Sequence, residues 1–212
     1  MLIAQLFIAP GCPHCPGVLQ ALSELLKEGE IAEMQVSNMA LLPEKAQQLG
    51  IRSVPWIKIG PFELTGSQTK GELQSWIKRS QSASGMQDYF QELFITGKLN
   101  KVITLLKKEP DLLSHLPPMI ENKDVPLGAK IAIGAVFEEF QGSPVIQSLI
   151  PLLIKLLDSK QSNVRHDVCH YLGLTESPDA IDAVKSQLTD DNEEIRETAH
   201  EALQIINEAN GI

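Results

Sequence analysis

Two cysteines separated by a proline and a histidine, Cys12-Pro13-His14-Cys15, lie where an apolar, strand-like run gives way to a helical pattern. The apolar run covers residues 2–9, and apolar residues recur with helical spacing from 18 to 26. At such a junction the first sulfur faces the unpaired N–H groups and the positive dipole end of the helix. The spacing therefore predicts a stabilised thiolate at Cys12.

The two cysteines and the two residues between them are expected to have different roles. Cys12 is the predicted nucleophile, and Cys15, one turn further on and partly buried, is the predicted resolving thiol that attacks a mixed disulfide at Cys12. Pro13 stiffens the turn, and a protonated His14 places positive charge near the thiolate. Both effects favour the reduced form and therefore a comparatively oxidising couple.

Metal binding is the other common use of two closely spaced cysteines. A closed zinc site needs about four ligands, whereas Cys12, Cys15 and His14 supply at most three and no second CxxC occurs. His166 and His170 share one helix face but lack an accompanying carboxylate signature, so we expect them at a helix seam or in solvent. The sequence therefore predicts no metal site.

The first eighty residues alternate between strand and helix signals in the order β-α-β-α-β-β-α, which predicts an α/β layer architecture with a parallel first strand pair. The predicted strands are 2–9, 31–37, 54–59 and 62–65, and the predicted helices are 13–28, 43–49 and 70–79. Residues 80–85, Ser-Gln-Ser-Ala-Ser-Gly, have the composition of a linker. We therefore predict a first domain over residues 1–82.

Beyond the linker only helical periodicity remains, which predicts an all-α domain over residues 86–212. The predicted helices are 87–96, 99–108, 125–140, 144–157, 164–172, 180–188 and 193–206. Five positions repeat at an offset of 31 residues, including Val164-Arg165 against Ile195-Arg196. A fixed period of this size is typical of a helical solenoid, and the pattern resembles HEAT-like repeats from about residue 150. Between 86 and 145 no Val-Arg pair recurs, and an irregular or capping region is expected there.

Two separated motifs in residues 1–80 resemble the thioredoxin superfamily. The first is the Cys-Pro-His-Cys centre, and the second is Gly50-Ile51-Arg52-Ser53-Val54-Pro55-Trp56, which is similar to the cis-proline segment of thioredoxins. The resemblance implies a thioredoxin fold with a cis Pro55 beside Cys12. It also implies that the Val54 backbone pairs with a substrate peptide like an added strand, and that Trp56 lies in the substrate-binding segment.

The chain also departs from the family pattern. Leu6 occupies the place of a buried acid in thioredoxins, so proton transfer to Cys15 is expected to depend on solvent or on the substrate thiol. Thr65-Gly66-Ser67 stands where glutaredoxins carry a Gly-Gly-containing stretch that binds glutathione. We therefore expect no cofactor.

Charge and cysteine usage limit the partners and the location. Residues 1–82 carry seven basic and seven acidic side chains, whereas residues 83–212 carry eleven basic and twenty acidic ones. An acidic surface repels phosphate backbones, which argues against nucleic acid as a partner. No signal peptide or membrane-spanning run is recognised, and three cysteines do not make a secreted disulfide framework. We expect a cytoplasmic protein.

These features together predict a thiol–disulfide oxidoreductase that acts on protein disulfides, with the helical repeats recruiting a protein partner or substrate. The expected electron donor is a thiol reductase or the glutathione system. Two alternatives remain open at this point. One is a redox-sensing scaffold whose repeat domain binds a partner under control of the Cys12–Cys15 disulfide, and the other is iron–sulfur ligation by a CxxC-bearing dimer.

Overall fold

The computed structural model describes residues 2–212, and the chain divides into two compact units. The first unit ends at Tyr89, and the second is Phe90–Ile212. The sequence places the boundary at residues 82–86, whereas the units divide slightly later. The predicted linker is a tight turn, in which the N–H of Ser82 donates to the Arg79 carbonyl and that of Gly85 to the Ser82 carbonyl.

A four-stranded sheet in the order β2-β1-β3-β4 forms the centre of the first unit. Its strands are β1 (Ile3–Ile8), β2 (Glu33–Asn38), β3 (Trp56–Ile59) and β4 (Phe62–Thr65). β1 and β2 are parallel, while β3 runs antiparallel to both β1 and β4. The predicted order β-α-β-α-β-β-α is confirmed, because the helices interleave with the strands as α1 (Cys15–Lys27), α2 (Pro43–Gln48) and α3 (Lys70–Ser80).

Helix α1 begins two residues later than the sequence pattern indicates. The sequence pattern places Pro13 in the first turn, but Pro13 and His14 form a bend, and Pro16 occupies the early helical position instead. A proline there costs no hydrogen bond because the first N–H groups of a helix have no intrahelical partner. The apolar face of α1, which includes Val18, Leu22 and Leu25, is buried. This burial fixes the helix start, and with it Cys15, against the sheet.

The second unit is entirely helical in the part of the chain that the structure describes. Its helices, with α4 leading in from the first unit, are α4 (Gly85–Ile95), α5 (Leu99–Lys108), α6 (Leu116–Glu121), α7 (Leu127–Glu139), α8 (Pro144–Gln147), α9 (Ile150–Leu156), α10 (Ser162–Leu174), α11 (Ile181–Ser186) and α12 (Glu193–Asn210). Three short 3-10 segments, Pro110–His115, Pro178–Ala180 and Gln187–Thr189, join some of these helices.

Two details of this unit differ from the sequence expectation. The single helix predicted over 144–157 is broken into α8 and α9, because Pro151 lacks an N–H and fits only the first turn of a new helix. The segment Pro110–Glu121 was not predicted at all, yet it forms a 3-10 helix followed by α6. Pro117 and Pro118 interrupt the helical periodicity of this segment in the sequence, yet prolines are tolerated in the first turn of a helix, where both of them lie.

The two matched repeats make equivalent contacts. In each, the arginine one residue after the buried Val164 or Ile195 donates to a main-chain carbonyl six residues earlier. Arg165 Nη1 lies 2.8 Å from the Ser159 oxygen, and Arg196 Nη1 lies 2.7 Å from the Asp190 oxygen. The repeated arginine therefore fixes the turn that precedes its own helix, which explains its recurrence at the 31-residue period.

Candidate active site

Cys12 and Cys15 form a disulfide at the point where β1 leads into α1. Their Cα atoms are 5.5 Å apart. Cys15 is 4% exposed on the inner side of the first helical turn, whereas Cys12 is only half-buried. The two cysteine residues therefore differ in their exposure to solvent.

The Cys12 sulfur lies at the positive end of α1. The backbone N–H of Cys15, the first residue of the helix, donates to Cys12 Sγ at 3.2 Å. This N–H is one of the groups that has no intrahelical acceptor, and it carries part of the positive charge of the helix terminus. The same donor favours negative charge on the sulfur once the disulfide is reduced.

Pro13 and His14 are both exposed on the outer side of the bend. His14 is the residue at the N-cap of α1, but its side chain makes no capping hydrogen bond. The imidazole is therefore accessible to solvent next to the disulfide.

The peptide bond between Val54 and Pro55 is cis, which confirms the expectation from the thioredoxin resemblance. Phe7 pairs with Trp56 in the sheet, so Pro55 lies level with the carboxyl end of β1, from which the chain continues to Cys12. Pro55 is buried, and its carbonyl accepts a hydrogen bond from the Gly66 N–H at 3.0 Å.

Val54 is half-buried and precedes β3. Within residues 2–212, no main-chain hydrogen bond joins its N–H or carbonyl to another residue. Both groups are free to pair with an incoming extended segment.

Trp56 is only 3% exposed and belongs to the interior. Its ring meets the Phe7 ring edge-on, with centroids 5.7 Å apart, in a cluster that also includes Ala46 and Ile51. Trp56 therefore anchors the predicted substrate-binding segment to the core of the domain, and its indole offers little surface to a ligand.

Sequence reasoning missed a cleft beside this cluster. The cleft has a volume of about 360 Å³ and is lined by Met39, Pro43, Ala46, Gln47, Gly50, Ile51 and Arg52. Its apolar lining continues in the loop that ends at Val54. Met39 and Ile51 are isolated apolar residues next to loop residues, and they are the only sign of the cleft in the sequence. The spacing of apolar residues does not reveal that α2 leaves a gap between these two side chains.

The strand that leads to the disulfide carries no ionisable side chain. Leu6 is fully buried, and Phe7 beside it is 1% exposed. The floor of the site is therefore apolar.

The cysteine and histidines of α10 form no second site. Cys169 is completely buried, and burial raises the pKa of its thiol to about 12, so the group is a neutral core residue. His166 contacts the neighbouring Asp167 with 3.3 Å between Nδ1 and Oδ1. Throughout residues 2–212, no three His, Cys, Asp or Glu side chains are grouped so as to hold a metal ion.

Comparison with known proteins agrees with this geometry. The family model described as a thioredoxin domain matches residues 4–78. The thioredoxin of Methanocaldococcus jannaschii is 38% identical over 77 residues, which cover 35% of this chain and 91% of that protein. The chain belongs to the thioredoxin family. A probable thioredoxin of Archaeoglobus fulgidus is 32% identical over 81 residues, covering 37% of this chain and 89% of that protein.

The thioredoxin assignment identifies the chain as a thiol–disulfide oxidoreductase with a CXXC centre at Cys12 and Cys15. A second family model, described as HEAT repeats, matches residues 108–206. This match begins well before residue 150, where the sequence pattern places the start of the repeats. The earlier helices lack the Val-Arg pair, and for that reason the sequence pattern does not reveal them as repeats. No helix within residues 2–212 has the length and apolar character needed to span a membrane.

Proposed function

We propose that this oxidoreductase acts on the disulfides of other proteins through Cys12 and Cys15, and that its HEAT-like domain recruits the protein partner or substrate. One observation carries the proposal. The half-buried Cys12 sulfur accepts the Cys15 N–H at the start of α1, while Cys15 itself is 4% exposed. This asymmetry supports one attacking and one resolving cysteine.

In the reducing direction, the reaction begins with both cysteines reduced. The Cys12 thiolate attacks one sulfur of a substrate disulfide, a bond forms between Cys12 and that sulfur, and the other substrate sulfur leaves as a thiolate that takes a proton from solvent. The donor at Cys15 N–H and the helix dipole lower the free energy of the Cys12 thiolate before the attack.

The second step releases the substrate. Cys15 loses its proton and attacks Cys12 Sγ, so that the intramolecular disulfide forms and the remaining substrate sulfur departs as a thiol. Because β1 offers no carboxylate, the proton of Cys15 passes to solvent or to the departing substrate thiolate. Two electrons have then moved from the enzyme to the substrate. A thiol reductase or the glutathione system returns them in a cytoplasmic setting.

Pro13 and His14 are proposed to tune the couple. Pro13 restricts the bend between the sulfurs, and the exposed imidazole of His14, when protonated, adds positive charge beside the Cys12 thiolate. Both favour the dithiol over the disulfide.

The segment of Val54, Pro55 and Trp56 is proposed to bind the substrate chain. The unpaired main-chain groups of Val54 would pair with the residues next to the substrate cysteine, while Pro55 and the buried Trp56 hold the segment in place. Main-chain pairing is independent of sequence, which suits an enzyme that accepts protein disulfides in extended segments.

The first experiment is the reduction potential of the Cys12–Cys15 couple in glutathione buffers. The readout is the fluorescence of Trp56 in a Trp76→Phe background, with thiol alkylation as a second readout and Cys12→Ser as the control. A potential near about −270 mV would support a reductase, and one near about −120 mV an oxidant. Failure to form the disulfide at any potential would refute the proposal.

Turnover then separates an enzyme from a sensor. With excess insulin and dithiothreitol, an enzyme reduces many insulin disulfides per chain, and the rate is proportional to enzyme concentration. A single oxidation per chain with no further turnover would favour the redox-sensing scaffold instead.

A further inference from the structure

Helix α7 presents an apolar face to solvent. Leu127 is 73% exposed and Ile131 is 66% exposed, and they lie one turn apart on the same side of the helix. Ala135, one turn further on, continues the stripe and is partly exposed. The opposite face of α7 is buried through Ala129, Ile133, Val136 and Phe137. The helix is therefore apolar on both sides, although only one side meets its own domain.

The stripe positions Leu127, Ile131 and Ala135 are all apolar, and Lys130, the one charged residue between Leu127 and Ala135 in sequence, donates its Nζ to the Ile120 carbonyl at 2.8 Å. A solvent-exposed helix face is normally polar, and an apolar one that leaves large side chains in water is a frequent mark of a protein–protein contact. Helix α5 follows this rule, because its residues Val102, Leu105 and Leu106 are buried while Lys107 and Lys108 are exposed.

Gly128 lies beside the stripe, and the chain's own packing does not require it. A Cβ atom built on Gly128 meets no atom within 4 Å, and the residue does not need a positive φ. Glycine weakens a helix relative to alanine, so its presence in an open position calls for another explanation. A small residue next to Leu127 and Ile131 allows the backbone of a second helix to come close.

The domain that carries the stripe is acidic overall. Residues 83–212 carry twenty acidic but only eleven basic side chains, and Glu138 is exposed at the carboxyl end of the stripe, whereas Lys130 is only partly exposed. A partner with basic residues flanking its apolar side is therefore attracted to this domain, and an acidic one is repelled.

We propose that the exposed α7 face, defined by Leu127, Gly128, Ile131 and Ala135, is a docking site for an amphipathic helix with basic flanks in a partner or substrate protein. Anchors at i, i+4 and i+8 extend over about 12 Å, which matches two turns of such a helix. This inference deepens the recruiting role proposed above and rests on it. It names the surface of the HEAT-like domain that holds the partner and the kind of segment held.

The test uses the full chain and a fluorescein-labelled, 18-residue peptide of leucine and lysine whose leucines form one helical face. Fluorescence anisotropy measures its affinity. Two further peptides serve as controls, one with the same composition in scrambled order and one with glutamate in place of lysine. We expect both controls to bind at least tenfold more weakly. No binding of the basic amphipathic peptide to the native chain would overturn the proposal.

Matched variants locate the site. Leu127→Gln combined with Ile131→Gln is expected to weaken binding at least tenfold, while Leu152→Gln combined with Ile154→Gln, which removes two exposed apolar residues from α9, leaves it unchanged. Gly128→Leu adds a side chain in open space and is expected to weaken binding without unfolding the domain. If the double variant on α9 lost as much peptide affinity as the double variant on α7, the proposal would be overturned. Self-association of the native chain that the α7 pair abolishes would also overturn it, because the face would then bind a second copy.

A tethered disulfide separates this inference from the proposed function. The peptide is joined through a flexible linker to a short disulfide-containing segment, and its rate of reduction is compared with that of the untethered segment. Recruitment predicts a higher kcat/KM for the tethered substrate, lost in the α7 pair. Binding without any rate gain would keep the docking site but reject the recruiting role. Insulin reduction without peptide binding would keep the oxidoreductase activity and reject the docking site.

Discussion

The hydroxyl of Tyr89 accepts a hydrogen bond from the Glu63 N–H at 3.1 Å and donates one to the Glu63 carbonyl at 2.9 Å. Glu63 lies on β4, the edge strand of the sheet, so this side chain satisfies main-chain groups that no neighbouring strand reaches. The Tyr89 ring also packs against Phe62 and Trp76, with centroids 5.1 and 5.6 Å away. Tyr89 is therefore part of the thioredoxin domain, although it follows the predicted linker.

Replacing Tyr89 with phenylalanine removes the two hydrogen bonds and keeps the ring. We expect a loss of about 1–2 kcal/mol in the free energy of unfolding of the first domain. Urea denaturation followed by tryptophan fluorescence measures it, since both tryptophans, Trp56 and Trp76, lie in this domain. Tyr171→Phe, a change in the helical domain, should leave that transition in place. An unchanged midpoint for Tyr89→Phe would show that water replaces the hydroxyl without cost.

Truncation tests where the first domain ends. A chain that stops at residue 82 lacks Tyr89 and exposes the rings of Phe62 and Trp76, whereas a chain that stops at residue 95 keeps them covered. We expect the shorter chain to melt at least about 5 °C lower, since about 1 kcal/mol shifts a domain of this size by that much. Thermal unfolding of both fragments by circular dichroism gives the comparison. Equal melting temperatures would place the boundary at the linker.

The two active-site cysteines should react at different rates. In the reduced protein at pH 7, we expect iodoacetamide to alkylate Cys12 at least about tenfold faster than Cys15, because only Cys12 combines exposure with a donor to its sulfur. Peptide mass mapping after short exposures measures the ratio. Cys15→Ser should accumulate a mixed disulfide with a substrate, and Cys12→Ser should not. Faster labelling of Cys15 would reverse the assigned roles.

Gly173 of α10 lies against α12 too closely for any side chain. A Cβ on Gly173 would be 2.8 Å from both Cα and Cβ of Ala202. Gly173→Ala must push the helices apart, and we expect it to destabilise the helical domain by about 1–3 kcal/mol. Gly128→Ala is the matched control, because its Cβ meets open space and alanine favours a helix. Urea denaturation by far-ultraviolet circular dichroism should show the first variant less stable and the second at least as stable as the native chain.

The pair of Arg165 and Asp190 links the two repeats. Arg165 Nε and Nη2 donate to the Asp190 carboxylate at 2.7 and 3.0 Å, and this hydrogen bonding lowers the pKa of Asp190. Since the pKa is lower in the folded than in the unfolded chain, the contribution to stability is complete above about pH 4 and is lost as the pH falls toward the folded value.

Asp190→Asn is therefore expected to cost about 1.5–3 kcal/mol at pH 7 and to make the loss of stability below pH 4 less steep. The neighbouring Asp191→Asn makes the same change in charge at an exposed side chain and should alter stability by less than about 0.5 kcal/mol. Urea denaturation between pH 7 and pH 3 tests both variants. If the free energy of unfolding of Asp190→Asn and of the native chain fell in parallel between pH 7 and pH 3, protonation of Asp190 would not be a cause of the acid destabilisation.

The sequence alone determined the alternation of elements in the first domain and the chemistry of its centre. Both depend on local physics: apolar periodicity distinguishes a strand from a helix, and a CxxC at a strand-to-helix junction places a sulfur at a helix terminus whatever the rest of the fold. The cis bond before Pro55 followed from a motif that is specific to one family. The period of 31 residues likewise revealed the repeats, because the recurring arginine has a local role in fixing its own turn.

Only the tertiary structure decided features that depend on residues distant in sequence. Tyr89 belongs to the first domain because its hydroxyl reaches β4, which the linker-like composition before it conceals. Trp56 is buried because Phe7 and α2 cover it, although its motif suggested contact with substrate. The exposed face of α7 has the same apolar composition as a core face, and the difference lies in which side its neighbours cover. Composition and spacing specify what a side chain can do, but three-dimensional packing decides what it touches.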